Sequence, residues 1–241
     1  IININVIKED SKCMFICIVA RGYPSLNYET NGIFEFDQAC ALKELGHKVI
    51  FVAIDLRSIR RWRKWGIEHF IKDGVEVYAI NIPLGRLPHY VLRYVGQIAL
   101  LILYRLIHGN HGEPDFVHAH FLNIAEIALV LKARTNAKFV VTEHSSILNG
   151  EYTMLPKWIQ NNAKSIYSRY NKVICVSPML ANSLKTFWGI KDIEIIPNIL
   201  DPIFMFNKRG MHNSFNFVFV GRMENRKCPL ETIEAFYDAF Y

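Results

Sequence analysis

Met14-Phe15-Ile16-Cys17-Ile18-Val19-Ala20, a polar loop to Asn31, and then Gly32-Ile33-Phe34-Glu35-Phe36 form the stretch that decides the fold. The apolar, β-branched run predicts a strand buried on both faces. Arg21-Gly22-Tyr23-Pro24-Ser25 breaks it. Gly32 opens a helix with apolar Ile33, Phe36, Cys40, Ala41 and Leu45, and Gly46 closes it as a glycine just past a helix end does. Val49 to Ile54 then reads as a second buried strand.

The same alternation continues outward. Strands are expected at 75–80, 116–120, 138–142, 173–176 and 193–196. Helices are expected at 88–107, 123–132, 152–170 and after Ser177-Pro178. Strands and helices in turn predict an α/β fold with a Rossmann-like, doubly wound parallel sheet. Residues 1–13 read as a tail, with Met14 as the native start, and residues 14–200 as the main domain. Residues 201–214, with Pro202, Asn207, Gly210 and Asn213, read as a linker. Residues 215–241 read as the first strand and helix of a second, truncated Rossmann-like domain.

The 241 residues are 51% hydrophobic and 21% charged, the balance of an ordered globular protein. The formal charge is +6. Such an excess suits phosphate-bearing partners without choosing among them. Five cysteines without a Cys-x-x-Cys pair predict reduced thiols and a cytoplasmic location. No Cys/His spacing suggests zinc, and no metal is expected. No run approaches the ~18 uninterrupted apolar residues of a membrane span.

Ligands of doubly wound sheets bind beyond the strands' carboxyl ends, and four features fall there. Gly32 begins a helix, where free N–H groups and the dipole attract phosphate, although an ordinary turn has the same look. Asn31 adjoins it as a candidate substrate contact. His118 and His120 share one face of their strand; His120 either contacts substrate or belongs to a hydrogen-bonded core pair. Thr142-Glu143-His144-Ser145-Ser146 ends another strand. There His144 can donate a hydrogen bond to a sugar or leaving-group oxygen, with Glu143 and Ser145 beside it as polyol contacts. Finally, Gly221-Arg222 and Lys227 follow Phe217-Val218-Phe219-Val220, and two cations there can neutralise a departing diphosphate.

In order, Gly32-Ile-Phe-Glu, Leu45-Gly-His-Lys-Val49, Pro114-Asp-Phe-Val-His-Ala-His120, Val141-Thr-Glu-His144, Lys172-Val-Ile-Cys-Val-Ser177, Ile196-Pro-Asn-Ile-Leu-Asp201 and Phe219-Val-Gly-Arg222 with Lys227 form a recognisable set. The set resembles the retaining, family 4 type of GT-B glycosyltransferase, with two facing Rossmann-like domains. The resemblance implies sugar transfer from a nucleoside-diphosphate donor, without a metal or other cofactor, to a cell-envelope glycan or lipid-linked acceptor. It implies His144 at the transferred sugar, and Gly32, Arg222 and Lys227 at the donor diphosphate. Two departures stand out: Asn31 replaces the first glycine of the family's usual pair, and Cys228 replaces the glycine after the lysine. In the family a complete carboxyl-terminal domain would supply paired donor-side glutamates, which these 241 residues do not include, so this polypeptide alone is expected to have little or no activity. An inactive remnant, a sugar- or lipid-binding module and a sugar-nucleotide epimerase stay open as alternatives.

Arg60, Arg61, Arg63 and Lys64 surround Trp62 and Trp65, and an apolar helix follows from Pro88. Cations mixed with tryptophan suit an anionic bilayer. They predict a protein peripheral on the inner face of the cytoplasmic membrane, unless the segment is a solvated basic loop. Nothing resembles a helix-turn-helix or zinc finger, so nucleic acid is not an expected partner.

Overall fold

The computed structural model describes residues 12–56, 64–200, 217–221, 223 and 225–240. The chain divides into two compact units, Ile1–Asp201 and Pro202–Tyr241.

The first unit is built on β1 (Phe15–Ala20), α1 (Ile33–Glu44), β2 (Lys48–Asp55), β3 (Gly66–Lys72), β4 (Val75–Asn81), α2 (His89–His111) and β5 (Phe116–His120). It continues through α3 (Leu122–Ala128), β6 (Lys138–Glu143), α4 (Lys157–Tyr167), β7 (Lys172–Cys175), α5 (Pro178–Trp188) and β8 (Ile193–Ile195). The strands form one sheet in the order β3-β4-β2-β1-β5-β6-β7-β8. All neighbours are parallel except β3 and β4. Strand order therefore reverses between β1 and β5, the switch point at which such sheets open a crevice.

Alternation across the strands sorts the core. Cys17 and Val19 of β1 join Val117, Val141 and residues of α2 to α5 in one cluster. Ile16, Ile18 and Ala20 face the other way and pack with Phe36 and Ala39 of α1. Every residue of β1 is buried. Fully burying one such aliphatic side chain stabilises by about 1.5–3 kcal/mol, which is why these strands read as continuous apolar runs.

Four expectations need correction. Strand β3 was not foreseen: it is an antiparallel edge, joined to β4 through Asp73 (φ 46°) and Gly74 (φ 74°). Two left-handed residues are what a tight hairpin turn demands. The helix expected at 152–170 forms only over Lys157–Tyr167, behind Pro156, which has an extended backbone. The helix expected at 123–132 begins at Leu122 and tightens into a 3₁₀ turn at Leu129–Ala133. Residues 217–220 form no strand: no described residue pairs with them, and an unpaired segment has no ladder.

The second unit, taken by itself, carries a 3₁₀ turn at Asn225–Lys227 and α6 (Pro229–Phe240). The Phe217 ring packs on Phe236 (5.1 Å) and Phe240 (5.2 Å). No residue of α6 is buried. Cys228, the departure from the family's glycine, takes φ 49°. A side chain in the left-handed region costs about 1–2 kcal/mol. The expected linker 201–214 lies outside the described residues, as does all of the expected tail except Lys12 and Cys13.

Candidate functional site

The site is the rim where β1, β5 and β6 end. From β1 the chain turns through Arg21 and Gly22 and returns at Asn31 and Gly32. Gly32 caps α1 with φ 72°. A methyl there would lie 2.1 Å from the Gly22 carbonyl oxygen, and one on Gly22 would lie 1.9 Å from Asn31 Nδ2. The loop closes only because both residues lack a side chain. Asn31 Nδ2 is itself buried with no hydrogen-bond partner among the described residues. Glu35, in the first turn of α1, is 2% exposed, and burial pushes its carboxyl up.

From β5, Phe121 enters α3 at φ 67° and ψ 147°. A phenylalanine held there marks backbone strain, which concentrates at functional sites. Its amide donates to the Thr142 carbonyl at 2.9 Å. The Arg21 guanidinium sits 4.2 Å over its ring, so a cation from β1 reaches across the switch point to β5.

From β6 comes His144. Its ring stacks on Phe34 of α1 at 6.1 Å and on His120 at 5.2 Å, and packs tilted against Phe121 at 5.0 Å. His120 Nδ1 is 2.9 Å from His144 Nε2. His118 lies 4.5 Å behind His120, with Nε2 2.8 Å from the Thr142 hydroxyl. Burial pulls His118 and His144 down to about 4, and holds His120 well below its ordinary value. At His144, an Asn198 side chain offsets part of the shift and Arg21 adds to it. All three imidazoles are therefore neutral at pH 7.

The structure thus brings Gly32, Asn31 and His144 to one rim. It revises two of the expected substrate contacts. His120 is fully buried and touches His144 instead. Glu143 is fully buried too. Its Oε1 accepts from the His144 and Ser145 amides (2.9 and 2.7 Å), and its Oε2 from the Leu122 amide and Tyr167 hydroxyl (both 2.8 Å). That carboxyl ties the His144 loop to the start of α3 and has no edge left for a ligand. Ser145 is half-buried beside it.

Arg21, Gly22, Phe34 and Phe121 were missed. A cation directly after β1 was a readable signal for Arg21; a positive φ at a phenylalanine has none. Lys227 is exposed in the second unit, while Arg222 lies outside the described residues, as do Arg60, Arg61, Trp62 and Arg63. Lys64 and Trp65 are exposed just before β3. Among the described residues, no group of three or more His, Cys, Asp or Glu side chains is placed to hold a metal ion.

Comparison with known proteins bears on this rim. Solved structures with the same fold include sucrose-phosphate synthase from Thermosynechococcus elongatus, at 18% identity and a TM-score of 0.56, over 76% of this chain and 47% of that one. The catalytic domain of starch synthase IV from Arabidopsis thaliana, bound to ADP and acarbose, aligns at 13% identity and 0.53, over 78% and 52%. A trehalose-6-phosphate structure from E. coli, bound with UDP-2-fluoro glucose, aligns at 11% and 0.52, over 78% and 49%. The chain spans about half the length of these structures. No curated protein matches it. The model of Glycosyltransferase Family 4 matches residues 36–203, which leaves Gly32, Arg222 and Lys227 outside the matched span. With well over half of its residues in that match and a GT-B sheet to carry them, the chain belongs to Glycosyltransferase Family 4.

Proposed function

We propose that the chain is the acceptor-side part of a transferase that moves a sugar from a nucleoside-diphosphate donor to a cell-envelope glycan or lipid-linked acceptor, with retention at the anomeric carbon. One observation carries this reading: the start of α1 at Gly32 and the neutral His144 ring meet at the β1/β5 switch point, bridged by Phe34 at 6.1 Å. The amides that open α1 suit a diphosphate, and Arg21 is the nearby cation on the same unit. Arg222 and Lys227, carried by the second unit, are further proposed diphosphate ligands. The donor class draws support from the ADP and UDP-2-fluoro glucose in structures of the same fold.

Glu143 is saturated by four donors, so it does not serve as a nucleophile. Transfer then proceeds on one face of the sugar. The bond from the anomeric carbon to the phosphate oxygen breaks, the acceptor oxygen bonds to that carbon, and the acceptor's proton passes to the departing phosphate. His144 holds a sugar oxygen by a neutral hydrogen bond, and the helix start and cations stabilise the charge that develops on the diphosphate. No metal or cofactor is part of this reading, and the place of work is the cytoplasmic side of the cell membrane.

Product analysis with a panel of nucleoside-diphosphate sugars, on the protein expressed from its complete gene, tests this. The expected result is a transferred sugar with the donor's anomeric configuration, lost in His144→Ala. Inverted product, or a freed epimer with no transfer, would overturn it. The 241-residue chain alone is expected to show little or no turnover.

A further inference from the structure

The loop that seats Gly32 is not fixed by its own helix, because Gly32 caps α1 without a side-chain hydrogen bond. The first bond of α1 runs from the Phe36 amide to the Gly32 carbonyl at 2.9 Å, so the amides of Ile33 and Phe34 ahead of it stand outside the helical ladder. Their direction depends on the loop from Gly22 to Gly32. Within it, Ser25 and Tyr28 exchange backbone hydrogen bonds, and the Asn31 amide donates to the Tyr28 carbonyl at 3.1 Å. These bonds shape the loop without attaching it to the sheet.

Tyr23 makes an attachment. Its hydroxyl donates to Oε2 of Glu68 at 2.6 Å, across 45 residues of chain. Its ring is 8% exposed and packs on Phe70 at 5.1 Å. Tyr23 directly follows Gly22, and the backbone of both residues crowds the start of α1. A methyl on Gly32 would lie 2.1 Å from the Gly22 carbonyl oxygen and 3.2 Å from the Tyr23 amide nitrogen. Holding Tyr23 therefore holds the backbone against which α1 begins.

Glu68 belongs to the edge strand β3. It pairs with Ala79, and Phe70 pairs with Val77. Paired residues point to one face, and Ala79 and Val77 lie in the core beneath α1. A carboxylate on that apolar face is costly without donors. It has two, from different elements: the Tyr23 hydroxyl, and Nδ2 of Asn81 at 2.6 Å. Asn81 is 3% exposed at the carboxyl end of β4. Both donors reach the same oxygen, and bonds to an ionised acceptor are short and about twice as strong as neutral ones. The sheet fixes Asn81, so Glu68 carries the position of the β4 end to the loop beside Gly32.

We infer that Glu68 is a positioning residue for the diphosphate end of the donor site, acting through Tyr23 on the first amides of α1. The inference rests on the reading that the start of α1 takes a diphosphate. Packing and orientation are separable here, because the Tyr23 ring keeps its contact with Phe70 when the hydroxyl is removed.

The test is titration of the 241-residue chain with inorganic pyrophosphate, followed by NMR at the Gly32 and Ile33 amides. The parent chain should bind. Tyr23→Phe and Glu68→Ala should each raise the apparent Kd about three- to tenfold. Glu68→Gln, which keeps one oxygen for both donors, should recover most of that loss. Ile174→Val, a core change on the far half of the sheet, should lower the thermal melt and leave pyrophosphate binding unmoved. Parent affinity in both Tyr23→Phe and Glu68→Ala would overturn the inference alone, as would a loss of binding that merely follows the melt in Ile174→Val as well. A parent chain whose Gly32 amide ignores pyrophosphate would overturn both the inference and the reading beneath it.

Discussion

His120 Nδ1 lies 2.9 Å from His144 Nε2, and of the two rings only that of His144 has access to solvent. One proton lies between them, and two tautomer pairs are compatible with it. If His144 donates, the proton on His120 moves to Nε2, which is buried without a partner. If His120 donates, the leftover N–H is Nδ1 of His144, an atom that is also buried and without a hydrogen-bond partner among the described residues. A buried orphan N–H costs more than an unmet acceptor. The His144 ring is half-buried and interacts with the Asn198 side chain, whereas His120 is fully enclosed, so the second arrangement is the less costly.

Tautomer assignment by nitrogen–proton correlation spectroscopy should therefore find His144 protonated at Nδ1 at pH 7. His120→Asn should loosen that preference without unfolding the sheet. A His144 protonated at Nε2 would contradict the assignment.

The histidine stack makes stability depend on acidity. An unfolded histidine titrates near 6.5, whereas His118 and His144 titrate at about 4 when folded. Between those values the unfolded chain holds more protons, so stability falls as pH drops from 6.5 to 4 and is fully present above 6.5. The slope is about 1.4 kcal/mol per pH unit for each histidine. The raised carboxyls of Glu35 and Glu143 act with the opposite sign at and above their ordinary range. Urea midpoints across this window should flatten in His118→Asn and steepen in Glu35→Gln.

Gly32→Ala should be costly. It combines φ 72° with a methyl 2.1 Å from the Gly22 carbonyl oxygen, so the backbone itself would have to shift. A loss of about 1–3 kcal/mol is expected from the backbone conformation alone, read from the denaturation midpoint. Gly46→Ala, where nothing lies within 4 Å of the added methyl, isolates the left-handed cost from the clash.

Glu143→Gln is nearly isosteric and should still destabilise by about 2–3 kcal/mol. Three of the four groups facing the carboxyl are backbone N–H donors that cannot reverse, so an amide NH₂ placed on either side would face at least one of them. A thermal melt indistinguishable from the parent chain would show that the carboxyl does not anchor the His144 loop.

Much of this was legible in the chain itself. The parallel strands announced themselves because burial on both faces demands continuous apolar runs such as Ile16 to Ala20. Gly32, Asn31 and His144 were legible because strand ends in this topology gather on one rim. Strand β3 was overlooked because His69 and Glu68 interrupt its apolar pattern, although Asp73-Gly74 is a hairpin signal. The burial of His120 and Glu143 was not readable, since the elements that cover and bond them, Tyr167 among them, are distant in sequence. Phe121 gave no sign, because its strained φ is imposed by the packing around it.

The central claim is that the β1/β5 rim accepts an activated sugar, and amide and histidine NMR during titration with nucleoside-diphosphate sugars tests it most directly. The account predicts that at least one donor shifts Gly32 and His144 while leaving His69 and His111, which bind Glu76 away from that rim, unmoved. Donors that perturb only those distant histidines, or that leave Gly32 and His144 unchanged across the whole panel, would contradict it.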